Sequence, residues 1–212
     1  KVHTRQFTSI ALLLPMSQLG YWIKQHWQGR FDYLLKVGTA RVGGLTGARL
    51  QGLRDGLEAV VGAVPEACVI HVSEPVLIDE VEEAVNALLT DYAAEARFAI
   101  IAINDDGAVG ALRAFERHAR LGSVVAVGQN ADQTGQEALR RPDFPFIGST
   151  RFAPEEYGEK LLNLAIKILN GEPVPPAVYQ QHVFINRDNL DRYYPQGGGF
   201  PAQNPAPSKR RQ

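Results

Sequence analysis

The feature that most constrains this chain is a regular alternation between short apolar runs and amphipathic helical stripes, from about residue 17 to residue 170. The runs carry apolar residues on both faces and are rich in Val, Ile and Phe: Phe31–Val37, Ala67–Val72, Phe98–Ile103, Val124–Val127 and Phe144–Ile147. Such runs are typical of strands buried on both sides in a parallel sheet. The stretches between them repeat apolar residues at helical spacing. The alternation predicts an α/β fold with a mainly parallel, doubly wound sheet.

The C-terminal part has a different pattern. Tyr157–Leu169 is a strongly apolar helix that ends at the Asn170-Gly171 pair, a typical C-cap, with Pro173 just beyond. A proline-rich link then leads to Tyr179–Ile185, whose alternation predicts a strand. Gly, Pro, Asn and basic residues dominate from residue 196 onward, which predicts a disordered tail over 196–212.

Composition excludes several classes of protein. The 212 residues contain 22 Lys plus Arg and 23 Asp plus Glu, a formal net charge of −1. This balance argues against direct nucleic-acid binding or capture by an anionic membrane, because neither would meet a strong field. The lone cysteine, Cys68, excludes an intrachain disulfide framework and is too little for a structural zinc site.

Polar residues follow the third apolar run, in the stretch from Ala102 to Leu112, where a helix begins at once. Ligands of open parallel sheets collect outside the carboxyl ends of the strands, so Asn104 and Asp105 are candidate ligand-binding residues. Their amide and carboxylate groups suit a polyhydroxylated ligand. The alternative is helix capping, and the two roles can be divided between the neighbours.

Arg49 lies in a glycine-rich strand-to-helix turn, Gly43–Gly52. The turn contains neither the Gly-Lys-Ser/Thr of a P-loop nor the dinucleotide-binding fingerprint. The guanidinium of Arg49 could bond ligand oxygens, or it could be an ordinary solvated or salt-bridged helix residue.

Two further stretches carry candidate residues. Gln129 and Asn130 follow the fourth run as binding candidates, with a loop and an Asp132 cap as the alternative. Phe152 precedes Pro154, which suits the first turn of a helix. Its ring could stack on the apolar face of a sugar or belong to the core.

Catalysis and metal binding find little support. The histidines are scattered, there is no G-x-S-x-G elbow, and no His/Cys cluster or H-E-x-x-H motif is present. We therefore predict no catalytic residue, no metal site, no cofactor and no enzymatic activity; the alternatives considered are an α/β hydrolase and a nucleotide-dependent transferase.

Several motifs occur in one order: Ala102–Phe115, Val127–Asp132, Ser149–Gly158 with its helix ending near Asn170, and the closing Phe184–Tyr194. Together they resemble the type I periplasmic binding proteins of sugar ABC transporters and the related effector domains of lac-repressor-like regulators. The resemblance covers roughly residues 17–195.

The resemblance implies two α/β lobes that close on a sugar. Asp105, with Asn104 beside it, matches the family's hydroxyl-binding aspartate, and Arg49 matches its oxygen-binding arginine. Asn130 stands where the family usually has an aspartate, and Phe152 where several members have a glutamine. Arg49 and Asp105 are then expected to face one cleft.

The resemblance also implies an organisation. Residues 1–16 would be an N-terminal remnant, 17–152 the C-terminal lobe, and 153–195 the helix and strand that return to or cross between lobes, with most of the N-terminal lobe absent. Helix 154–169 would then lack its packing surface, which leaves self-association through it as one expectation. This chain alone should bind monosaccharides weakly or not at all.

The function predicted from these motifs is recognition of a sugar-like ligand for import, in the periplasm, with an ABC transporter permease as partner of the full-length protein. The alternative is a cytoplasmic, ligand-sensing domain of a transcription regulator.

Overall fold

A computed structural model describes residues 17–38, 44–73, 77–178 and 182–196, and the side chains of 44–46 are outside that description. The principal elements are, in chain order, α1 (described over 17–27), β1 (Tyr33–Val37), α2 (Gly44–Val61), β2 (Val69–Val72), α3 (Ile78–Leu88), β3 (Phe98–Ala102), α4 (Asp105–Arg117), β4 (Val124–Asn130), α5 (Gln133–Arg140), β5 (Phe146–Arg151), α6 (Tyr157–Leu169), β6 (Val183–Ile185) and α7 (Leu190–Tyr193). No helix in these ranges is long and apolar enough to cross a bilayer.

The strands form one six-stranded sheet in the order β2-β1-β3-β4-β5-β6. Strands β1 to β5 are all parallel, and β6 is antiparallel to β5. The order reverses at β1, which makes the sheet doubly wound and places its natural crevice at the carboxyl ends of the strands. The predicted fold class is confirmed.

Successive residues of each strand enter two separate apolar cores. In β3, Phe98 and Ile100 pack with α3, α4 and α5, whereas Ala99 and Ile101 pack with α1 and α2. We call these two sides of the sheet the α4 face and the α2 face. The double burial explains why the strands read as continuous apolar runs rather than as an alternating pattern.

The predicted strands agree with β1 to β5 except at their ends. β4 continues to Asn130 and β5 to Arg151, so polar residues expected in loops belong to the sheet. The reason is pairing, because Gln129 and Asn130 lie in register with Thr150 and Arg151, and β6 covers the other edge of β5. The predicted strand 179–185 is confirmed over β6, while residues 179–181 lie outside the described ranges, as do the predicted remnant 1–16 and all but one residue of the predicted tail.

Helix α6 occupies the predicted residues, preceded by a 3-10 turn that begins at Pro154. None of its side chains is buried. Leu161 and Leu162 are both more than 60% exposed and Leu169 is 85% exposed. The apolar side chains of α6 are therefore largely exposed in the part of the chain that the structure describes.

Candidate ligand site at the carboxyl edge of the sheet

Asn104 and Asn130 occupy neighbouring strand ends at the carboxyl edge. Asn104 is the N-cap of α4, and its Oδ1 accepts the N–H of Gly107 at 2.9 Å. Asn130 ends β4 with a φ of 112°, and Ala131 and Ala153 nearby also have positive φ values, 52° and 53°. Non-glycine residues in this region carry strain that the surrounding structure must hold, and such residues cluster at ligand sites.

Asp105 faces the α4 face and is completely buried. Its Oδ1 accepts the Ser149 hydroxyl at 2.6 Å, and its Oδ2 accepts the backbone N–H of Asp132 at 3.0 Å. Burial, and then the charge of Asp132, raise the pKa of this carboxyl well above its ordinary value. The carboxyl group thus ties α4 to β5 and to the start of α5.

Two glycines make room for this carboxyl group. A Cβ at Gly128 would lie 2.0 Å from one Asp105 oxygen, and a Cβ at Gly135 would lie 2.4 Å from the other. Any larger residue at either position would displace Asp105. The two glycine positions are therefore matched to the carboxyl group of Asp105.

Arg49 and Asp105, which were expected to face one cleft, lie on opposite faces of the sheet within the described ranges. Gly128 and Phe146, which adjoin the Asp105 carboxyl, belong to the α4 side, whereas Arg49 lies on α2. A ligand would also have to reach a carboxyl group that is 0% exposed and already accepts two hydrogen bonds. In this structure the carboxyl group of Asp105 holds α4 in position against β5 and the start of α5.

Arg49, Phe152 and His182 form a cluster at the rim of the α2 face. The Arg49 guanidinium carbon lies 5.1 Å from the centre of the Phe152 ring, and the His182 ring meets the same ring edge-to-face at 4.8 Å. All three side chains are partly exposed. Burial, and then the charge of Arg49, lower the pKa of His182. The cluster offers an aromatic surface flanked by two nitrogen donors.

Sequence reasoning missed His182. Thr150 pairs with Phe184 across the antiparallel β5–β6 ladder, so residues two positions further along, Phe152 and His182, share one face. The alternating pattern of 179–185 indicates a strand but not its partner. The pairing of β6 with β5 brings His182 to Phe152, and the sequence of 179–185 alone does not predict that pairing.

Gln129 and Thr150 lie beneath this cluster, side by side on the α2 face. They are register partners, and Gln129 follows Val125 and Val127, which pack on that face. Gln129 Nε2 donates to the carbonyl of Ala102 at 3.3 Å, whereas Gln129 Oε1 and Thr150 Oγ1 are buried and have no hydrogen-bond partner within the described ranges. Such atoms are uncommon and often mark functional sites.

Of the six predicted site residues, Arg49 and Phe152 are in contact, and Gln129 lies on the same face. Asn104 and Asn130 lie at the strand ends of the same edge, and Asp105 is separated from the cluster. No group of three or more His, Cys, Asp or Glu residues suited to a metal ion occurs within the described ranges. The arrangement can hold an organic ligand through an aromatic ring, a guanidinium and amides.

A doubly wound parallel sheet with such a polar carboxyl edge defines an α/β ligand-binding domain. The chain belongs to the periplasmic binding protein domain family, whose model matches residues 17–173. A comparison with curated proteins found no significant match.

Solved structures of this fold include an ABC transporter periplasmic solute binding protein from Actinobacillus succinogenes with bound D-allose, at 15% identity and a TM-score of 0.69. The alignment covers 88% of this chain and 61% of that one. GanP, a glucose-galactose binding protein from Geobacillus stearothermophilus, aligns at 15% identity with a TM-score of 0.68 over 86% of this chain and 61% of its own. A solute binding protein from Agrobacterium vitis with bound allitol aligns at 15% identity, a TM-score of 0.67 and coverages of 85% and 62%. The chain therefore spans about three fifths of these structures.

Proposed function

We propose that this chain contributes one half of a binding site for a sugar-like solute that is imported from the periplasm by an ABC-type transporter. Membership of the family and the sugar or polyol ligands named for two of the aligned structures support this proposal. The protein acts by binding alone, without catalysis. The observation that carries the proposal is the contact of Arg49 with Phe152 at the carboxyl edge of the sheet.

Each residue has a chemical role in this proposal. The Phe152 ring packs against the C–H face of a pyranose, and the guanidinium of Arg49 donates to ring and hydroxyl oxygens. The amides of Asn104 and Asn130 bond hydroxyl groups at the strand ends, and Gln129 supports them from below. Asp105 holds α4, and with it Asn104, in place.

Closure of two lobes about a hinge would complete the site. A ligand that contacts both lobes stabilises the closed form by its differential affinity for the two states. The permease of the transporter would then bind the closed form. One lobe alone offers half of these contacts, so we expect the 212-residue chain to bind monosaccharides with millimolar affinity.

The test is an NMR titration of the isotope-labelled 212-residue chain with D-allose, D-galactose and allitol up to 100 mM. We expect chemical-shift changes at Arg49, Asn104, Asn130 and Phe152, and their loss in Phe152→Ala. Arg113→Gln serves as the control, because Arg113 lies on α4, where it pairs with Asp79. Binding unaffected by Phe152→Ala, or shifts confined to other surfaces, would contradict the proposal.

Helix α6 leads to a second proposal, self-association of this chain through residues 154–169. The exposed apolar side chains of α6 form a wide face that water solvates poorly. Sedimentation velocity should show a concentration-dependent dimer that Leu161→Lys together with Ile168→Lys abolishes. Replacement of Lys160 by Gln, on the polar side of the same helix, should leave it unchanged. A strictly monomeric chain at 200 µM would disprove this proposal.

A further inference from the structure

We infer that the ligand of this site carries an acidic group, a carboxylate or a phosphate, which binds between Arg49 and His182 against the ring of Phe152. The inference rests on the proposed function and names the class of ligand: an acidic sugar rather than a neutral one. It is based on the positive charge of Arg49 and on hydrogen-bonding groups of the α2 face that have no partner among the described residues.

Arg49 differs from every comparable arginine in the described chain. The other arginines that are not fully exposed all have a carboxylate or carbonyl oxygen within 4 Å: Arg54, Arg113, Arg120, Arg140 and Arg151. Arg49 has none among the described residues, and its guanidinium contacts the Phe152 ring. A guanidinium that is held beside an aromatic ring and has no acceptor among the described residues is suited to an acceptor from a ligand.

His182 adds a second nitrogen donor beside Arg49, and neither side chain carries a negative charge. It contacts the same Phe152 ring as Arg49, edge-to-face at 4.8 Å, and the positive charge of Arg49 opposes its protonation. The described structure places no carboxylate within 4 Å of either side chain. An anion between them would remove this repulsion, and its arrival would raise the pKa of His182.

Three acidic residues near this edge are engaged elsewhere. Asp105 is buried on the α4 face, and Glu155 and Glu156 both pair with Arg151. Among the described residues, none of these three carboxylates pairs with Arg49.

Gln129 Oε1 and Thr150 Oγ1 give an independent indication. Both are buried polar atoms on the same face that have no partner among the described residues. Gln129 is 0% and Thr150 1% exposed, so these atoms can reach a ligand only through a bound water, which can accept from the Thr150 hydroxyl and donate to Gln129 Oε1. The face is thus equipped for a ligand that has both an acidic group and hydroxyls.

The experiment compares matched ligands by the same NMR titration at constant ionic strength: D-galactose, D-galacturonate and D-galactose 6-phosphate, with acetate and inorganic phosphate as anions without a sugar. We expect at least one acidic sugar to bind about tenfold or more tightly than galactose, since charge-assisted hydrogen bonds are worth about 1.5–3 kcal/mol. The His182 ring signals should titrate at a higher pH in the complex. The arm that binds more tightly identifies carboxylate or phosphate as the acidic group.

Arg49→Gln should weaken the binding of both kinds of sugar, the acidic one far more, so that the preference for the acidic sugar falls to less than about twofold, whereas Arg113→Gln should preserve both affinities. Equal affinities for neutral and acidic sugars would overturn this inference and leave the proposed function intact. An acidic preference that survives Arg49→Gln would also overturn it. No binding of any sugar at 100 mM would overturn both.

Discussion

Two groups of polar residues at the carboxyl edge, one on each face of the sheet, differ in how far their hydrogen bonds are matched. On the α4 face, the Ser149 hydroxyl and the backbone N–H groups of Ala131 and Asp132 each have an acceptor in the network around Asp105. On the α2 face, among the described residues, Arg49 has no acceptor, and Gln129 and Thr150 each have a buried atom without a partner.

This difference suggests that one group of residues supports the structure of the edge and the other binds the ligand. A satisfied buried network rigidifies the ends of β4 and β5 and the start of α4, whereas unmatched groups lower stability unless a ligand satisfies them. We therefore expect the network on the α4 face to fix the positions of the strand ends. The residues of the α2 face and of the strand ends would contact the ligand. Substitution of the networked residues on the α4 face should therefore lower the free energy of unfolding, whereas substitution of the unmatched residues on the α2 face should leave it unchanged or raise it.

The largest effect is expected for Asp105→Ala. The change leaves the Ser149 hydroxyl and the Asp132 N–H without their acceptor and opens a cavity, at a cost of about 3 kcal/mol in the free energy of unfolding. Urea denaturation followed by circular dichroism measures it. Asp105→Asn, which keeps the volume and one acceptor, should cost about 1 kcal/mol or less, and equal losses in the two variants would refute the network's role.

Next in size is a comparison of two adjacent residues of β5. Ser149→Ala removes a bond to Asp105 and one from Ala131, and should lower the free energy of unfolding by about 1–2 kcal/mol. Thr150→Val removes a hydroxyl that has no partner among the described residues, so it should be neutral or stabilise the fold by up to about 1 kcal/mol. Thermal melts of the two variants beside the wild type suffice. A destabilising Thr150→Val would mean that the α2 face is not unmatched.

The pH dependence of Asp105 is a smaller effect whose sign is fixed. Its folded-state pKa is raised, so the unfolded chain ionises first as the pH rises above about 4. The wild type should therefore lose stability relative to Asp105→Asn as the pH rises from 4 toward the folded-state pKa. Denaturation of both proteins at several pH values tests this. A wild type whose free energy of unfolding rises with pH relative to that of Asp105→Asn would contradict it.

The smallest effect concerns His182, which is partly exposed. Its folded-state pKa is lowered, so the folded chain resists protonation. Stability should decline slightly as the pH falls below about 6.5, and His182→Gln should remove that decline. Chemical denaturation at pH 7.5 and pH 5.5 measures it. In complex with an acidic sugar the trend should reverse, because a protonated His182 then has a counter-charge.

Several elements could be predicted from local sequence. The runs that became β1 to β3 are apolar on both faces because helices cover both faces of the sheet, and α6 was predicted at its correct residues. Asn104 and Asn130 could be placed at one edge because parallel strands all end on the same side. The ends of β4 and β5 could not, because Gln129, Ser149 and Thr150 join the sheet through pairing with neighbours distant in sequence.

The sequence by itself determined the succession of strands and helices along the chain, the parallel sheet and the edge where polar residues collect. It did so because hydrophobic periodicity and caps are local properties. Only the tertiary structure decided which polar residue faces which side. Adjacent strand residues point to opposite faces, so Ser149 and Thr150 serve different functions although nothing in their chemistry separates them. The glycines that admit Asp105 to the α4 face, and the β6 pairing that brings His182 to Phe152, act across the fold rather than along the chain.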